Sequence, residues 1–138
     1  MGPIGHTAIS TGIGVGVWGA TGSPAAGATA IGVGVLTDVD HLFDFYQWYI
    51  RRKPNKIYLF FHAWEYSIIG LLLIGVFHYH PILFAAALAH LGHIATDHFH
   101  NGMSPWGYSI TFRFMARFET DKVAPHHNVL NSYRSWPG

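Results

Sequence analysis

Two long stretches without any charge constrain this chain more than any other feature. Residues 1–37 contain no Asp, Glu, Lys or Arg, and neither do residues 66–96. Acids and imidazoles crowd their borders, in Asp38-Val39-Asp40-His41, in His62-Ala63-Trp64-Glu65, and in His90-Leu91-Gly92-His93-Ile94-Ala95-Thr96-Asp97-His98. A carboxylate at the end of an apolar helix is costly unless something pairs with it. A divalent metal ion is the natural partner for a mixed His, Asp and Glu set.

The chain divides into four apolar segments, about 4–20, 24–37, 61–79 and 81–96. Thr21-Gly22-Ser23-Pro24 and His78-Tyr79-His80-Pro81 read as tight turns in which Pro opens the next helix. The expected fold is all-α, a single domain of four antiparallel, membrane-embedded helices with a metal site at one end. The helical bundle covers about 4–100 and an irregular C-terminal tail about 101–138. Ile13-Gly14-Val15-Gly16-Val17 recurs as Ile31-Gly32-Val33-Gly34-Val35. Alternating Gly and Val also fits a strand. Small residues at helical spacing favour helix, because they let backbones approach closely.

At 138 residues the chain has room for one core. Only 11% of it is charged, against about a quarter in soluble proteins. The segments are apolar all round, which does not suit solvated surface helices. The first reaches about 26 Å, marginal against a hydrocarbon core of about 30 Å. A compact bundle outside the membrane is the competing reading. All eight Lys and Arg lie between residues 51 and 56 or after residue 112. The positive-inside rule puts those regions and the N-terminus on the cytoplasmic side. No basic region opens the chain, so no cleaved signal peptide is expected. A net charge of +1 gives no reason to expect nucleic acid as a partner. With no cysteine, disulfides, thiolate zinc sites, Fe–S clusters and a Cys nucleophile are excluded.

Antiparallel helices with short turns alternate their ends. His6 then starts the first helix, Asp38, Asp40 and His41 end the second, His62 and Glu65 start the third, and His93 and Asp97 close the fourth. All four sets fall on one end. His62 and Glu65 at i,i+3, and His93 and Asp97 at i,i+4, share helix faces. Singly, each has a plainer reading. His6 suits a helix start, Asp38 suits a cap for a short helix from His41 to Tyr49, and His62 suits a local bond to Glu65. His98 and His100 point off the ligand face and suit a supporting role. His78 and His80 read as turn residues, and His126 and His127 as solvent-facing. Their convergence favours a metal held by His6, Asp40, His41, His62, Glu65, His93 and Asp97, because mutual pairing leaves too many buried acids unexplained.

These motifs resemble those of the predicted membrane-bound metal-dependent hydrolases, which include the LexA-binding inner-membrane type. That family carries a Gly-His near the N-terminus, an Asp-x-Asp-His after an apolar segment, a His motif opening a later span and a His-x-x-x-Asp closing the next. Gly5-His6, Asp38-Val39-Asp40-His41, His62-Ala63-Trp64-Glu65 and His93-Ile94-Ala95-Thr96-Asp97 match them. Asn101-Gly102 and Tyr108 through Phe118 resemble the aromatic-Arg tail of smaller members. Larger members read His-Arg-Gly-x-Thr-His-Ser at the third site, whereas this chain reads Phe61-His62-Ala63-Trp64-Glu65-Tyr66-Ser67. Tyr66 stands where they have a second His, which leaves Glu65 as the candidate substitute. The group is distantly similar to zinc-dependent phospholipase C and P1-type nuclease. That likeness implies hydrolysis of a phosphoester, small or lipid-linked, at the inner membrane, with membrane lipid as a partner.

Imidazole and carboxylate donors suit zinc. Asp38 is then the expected catalytic residue, a free general base beside the ions. Arg113 or Arg117 is expected either to neutralise a phosphate or to face the membrane surface. A haem between His62 and His90 or His93 is a rival reading, but haem ligation needs no carboxylates. A non-catalytic membrane module or assembly subunit that keeps the metal is another. Gly14-Val15-Gly16-Val17-Trp18-Gly19 matches a dinucleotide fingerprint, but a turn follows where a helix should.

Overall fold

The computed structural model describes residues 3–126. Helix α1 spans Pro3–Thr21, α2 Pro24–Leu36, α3 His41–Phe45, α4 Trp64–Val76, α5 Pro81–His100, α6 Ile110–Met115 and α7 Thr120–Val123. A 3-10 turn, Thr37–Asp40, joins α2 to α3, and a π turn, Tyr46–Ile50, follows α3. Among the described residues there is no strand, only an isolated bridge between Lys56 and Glu119.

Local chemistry sets the turns. Gly22 takes φ +67° after α1 and donates its N–H to Trp18 O at 2.8 Å, a left-handed cap that glycine adopts without strain. Ser23 then caps α2 by accepting from Ala26 N at 3.2 Å, with Pro24 in the first turn. The Gly/Val echo is helical in both copies. A Cβ on Gly14 would lie 2.7 Å from Gly27 O, and one on Gly34 would collide with Ser10 Oγ. Glycine at these two positions lets α1 and α2 meet backbone to backbone.

Helix α5 packs against α1, α2 and α4. Its small residues Ala85 and Ala89 meet Val17, Ala26 and Ala30 in one core. A second core joins Ile94 of α5 to Ile57, Leu59, Met103, Tyr108 and Val123. Within the expected C-terminal tail, residues 101–126 carry two short helices, α6 and α7, are otherwise largely non-helical, and bury Tyr108 and Arg113 completely. The rest of that segment, 127–138, lies outside the described residues, His127 included.

The third apolar segment also differs from expectation. Residues before Trp64 are not helical, and Ala63 is extended at φ −138°, ψ 126°. Leu59 takes φ +44°, a left-handed conformation that a branched side chain adopts only under constraint. The constraint is Asp44, which accepts from Tyr58 N at 3.0 Å and from Leu59 N at 3.1 Å. Asp44 is buried, and burial raises its carboxyl to about 6 against the pull of these amides. No described helix is both long and apolar enough to cross a membrane. Helix α4 has 13 residues, about 20 Å, and α5 carries its polar residues near one end.

Candidate metal centre

The end of the bundle where α1 begins and α5 finishes gathers five of the seven expected ligands, together with Asp38, the expected base. Two overlapping groups form there, each with ligand atoms within 4.8 Å of one another. One is His6, Asp38, His93 and Asp97, and the other is Asp38, His41, His62 and Asp97. Asp38 and Asp97 belong to both. The Asp38 Oδ1 atom lies 3.3 Å from His41 Nε2, 3.4 Å from His62 Nε2 and 3.3 Å from His93 Nε2. Asp97 Oδ2 lies 3.5 Å from His62 Nε2 and 3.7 Å from His93 Nε2. Ligands about 2.0–2.1 Å from a tetrahedral ion are about 3.3–3.4 Å apart, so these spacings could hold a cation, and they also serve imidazole–carboxylate hydrogen bonds.

Hydrogen bonds at the far side of each ring fix its tautomer. His93 Nδ1 donates to Gly34 O at 2.7 Å. His62 Nδ1 lies 3.0 Å from Asp40 Oδ1 and 3.2 Å from Oδ2, and a carboxylate only accepts. Both Nε2 atoms therefore turn lone pairs inward, and they stand 3.1 Å apart. Two lone pairs at that distance repel unless a proton or a metal ion lies between them. Backing of each imidazole N–H by a carboxylate or carbonyl is what metal-bound histidines require. The same separation leaves no space for a haem plane.

The electrostatics agree. Burial by itself would raise the Asp38 carboxyl, yet His41, His62 and His93 hold it far below the usual carboxylate range. Burial would lower the His62 imidazole, but hydrogen bonds to Asp38, Asp40 and Asp97 overcome it and push the ring up to about 10. Asp38, Asp40 and Asp97 thus all face imidazoles. Only Asp38, at 26% side-chain exposure, and His41, at 45%, open to solvent, while His62 and Asp97 are buried. His6 stacks on His93 with ring centroids 4.0 Å apart, its Nε2 is 2.9 Å from Asp97 Oδ1, and its Nδ1 has no hydrogen-bond partner.

Two expected ligands stand outside both groups. Asp40 reaches the cluster only through His62, and it also accepts from Phe61 N at 2.6 Å. It orients the ring and belongs to neither group. Glu65 turns away altogether. It accepts from Ser109 Oγ at 2.6 Å and from the N–H groups of Ile110 and Thr111 at 3.2 Å, so it anchors the start of α6. The expected i,i+3 pairing of His62 and Glu65 fails because His62 precedes the helix. Arg113 is buried and donates to His62 O at 2.7 Å and Gly107 O at 3.0 Å, so it faces neither a phosphate nor a membrane surface. His100 binds Thr96 O, and His78 and His126 are exposed. Sequence reading missed the Gly34 carbonyl and Asp44. Nothing in a glycine-valine repeat signals a carbonyl acceptor, whereas Asp44, one turn beyond Asp40 in an aromatic segment, is a legible buried acid.

No family model, no curated protein and no solved structure matches the chain.

Proposed function

We propose that this chain is a membrane-associated, metal-dependent phosphoester hydrolase that holds two divalent cations, zinc by their donor set, in the His/Asp cluster. The observation that carries the reading is the approach of His62 Nε2 and His93 Nε2 to 3.1 Å, with the far nitrogen of each ring bonded to Asp40 or Gly34. Two overlapping groups sharing Asp38 and Asp97 are the pattern of a two-ion site with bridging carboxylates. The resemblance of the Asp-x-Asp-His and His-x-x-x-Asp motifs to the membrane-bound hydrolases points the same way.

The cations would supply Lewis acidity, activating water and neutralising charge on a phosphoester. The chain's own groups do the rest. Asp38 and Asp97 hold the two positions together, Asp40 and Gly34 fix the imidazoles, and the exposed flank at Asp38 and His41 admits substrate. Asp38 acts here as a ligand and not as the base expected from sequence, because a carboxyl held so firmly ionised is a weak proton acceptor.

A lipid surface fits the outer faces. Ile68, Ile69, Leu72, Leu73 and Val76 of α4 are each at least half exposed, in a stretch with no charge. Contiguous apolar surface of this kind marks a membrane or partner contact. Arg51, Arg52 and Lys53 are exposed and suit anionic headgroups on the cytoplasmic side of the inner membrane.

The test is metal analysis of the purified chain joined to turnover of bis(p-nitrophenyl) phosphate with added zinc. Close to two ions per chain and turnover abolished in His93→Ala are expected. Absence of bound metal together with absence of turnover would sink the reading.

A further inference from the structure

The two overlapping ligand groups of the metal centre are unequal in how firmly they are held. His6, Asp38, His93 and Asp97 form one, and Asp38, His41, His62 and Asp97 form the other. Asp38 and Asp97 are common to both, so the imidazoles make the difference. In the first group both rings are buried and both stand on long helices, His6 on the 19-residue α1 and His93 on the 20-residue α5. They stack with centroids 4.0 Å apart, and His93 Nδ1 donates to Gly34 O at 2.7 Å. Helices α1, α2 and α5 pack on one another, so freeing either ring from an ion would disturb close-packed neighbours. His6 Nδ1 has no hydrogen-bond partner, but burial keeps water and competing ligands away from it. In the second group, His62 is equally buried and is bonded through Nδ1 to Asp40.

His41 is held by far less. It opens α3, a helix of five residues set between a 3-10 turn and a π turn. Its side chain is 45% exposed, and its Nε2 lies 3.3 Å from Asp38 Oδ1. Its ring tilts against His62 with centroids 4.7 Å apart, and nothing bonds its Nδ1 among the described residues. A backing bond on the far nitrogen of a metal-bound imidazole is worth about 10–100-fold in affinity, and His41 lacks one. An exposed side chain also changes rotamer on the ps–ns timescale, so His41 can leave and rejoin an ion with no helix displaced. With His41 swung out, the second position keeps three donors and faces water. Resting on the two-ion hydrolase reading above, we propose that the position completed by His41 exchanges its zinc with solvent while the position completed by His6 and His93 retains its ion, so that free zinc regulates the site through His41.

The test uses the full zinc-loaded chain, freed of excess metal and mixed rapidly with the chromophoric chelator pyridylazoresorcinol. Release should be biphasic, about one ion per chain in each phase, with the fast phase roughly tenfold or more ahead of the slow one. His41→Ala should lose the fast phase and keep about one slowly released ion, with its circular dichroism unchanged. His6→Ala should instead abolish the slow phase. A single phase in the native chain, whether of one ion or two, overturns the proposal, and that result needs no variant to fold. So does a fast phase that persists in His41→Ala, or loss of both ions from that variant while it stays folded. Turnover of bis(p-nitrophenyl) phosphate is read separately and should rise with free zinc along the binding curve of the second ion. Biphasic release without turnover keeps the unequal positions and rejects the hydrolase. Turnover with both ions released in one phase keeps the hydrolase and rejects the exchange.

Discussion

Metal removal should make the stability of this protein fall with rising pH. Without a cation, the proton between His62 and His93 resides on His62, whose folded pKa is raised to about 10 by Asp38, Asp40 and Asp97 against the opposing effect of burial. In the unfolded chain that imidazole titrates near 6.5. A group raised on folding stabilises the fold fully below its unfolded pKa and loses that contribution as pH climbs toward the folded one. Between pH 7 and 9 the metal-free protein should therefore lose about 1.4 kcal/mol per pH unit, the effect of one proton. For a chain of this size that is roughly 3–6 °C in Tm per unit. A bound cation displaces the proton, so neither folded nor unfolded His62 carries it in that window. The loaded protein should then show a flat profile. Asp38 does not confuse the reading, because its depressed pKa contributes stability above about 3.8 that is lost only as pH falls through the acid range. Urea unfolding followed by circular dichroism, at half-unit pH steps with chelator or with zinc, measures both slopes. His62→Ala should remove the slope from the chelated protein. Parallel profiles with and without metal, or a chelated protein more stable at pH 8.5 than at pH 7.5, would refute the argument.

Asp40→Asn keeps the shape but weakens the hold on His62 Nδ1, so zinc affinity should fall about 10–100-fold, measured by competition with a fluorescent chelator. Glu65→Gln should leave the metal count unchanged and cost about 1 kcal/mol of stability through the α6 amides and Ser109. Loss of an ion in that variant would restore Glu65 as a ligand. Gly14→Ala brings a methyl to 2.7 Å from Gly27 O and should destabilise by about 1–3 kcal/mol. Gly16→Ala meets nothing within 4 Å and should stabilise by about 0.5–1 kcal/mol. Equal effects of these two in urea unfolding would contradict the close α1–α2 approach.

The cluster was legible from residue types and topology because both are local signals. Uncharged runs joined at Thr21-Gly22-Ser23-Pro24 and His78-Tyr79-His80-Pro81 favour four helices whose ends alternate, and that alternation brings His6, Asp38, His41, His62, His93 and Asp97 together. The roles within it were less legible. Asp38 and Asp40 are one residue apart and chemically identical, yet one stands in both ligand groups and the other lies behind an imidazole. Which carboxylate joins the groups depends on where the non-helical segment before Trp64 places His62, a segment in which Leu59 takes φ +44° and donates its N–H to Asp44.

By itself, then, the sequence determined the four longer helices, their alternating order and most of the side chains delivered to one rim, since periodicity and turn chemistry act over a few residues. Tertiary structure alone decided that Glu65 anchors α6, that Arg113 braces the His62 carbonyl, and that Tyr108 and Ile57 share a core with Ile94. Those contacts join residues tens of positions apart through backbone atoms that every residue carries, so nothing in the identity of either partner marks them in advance.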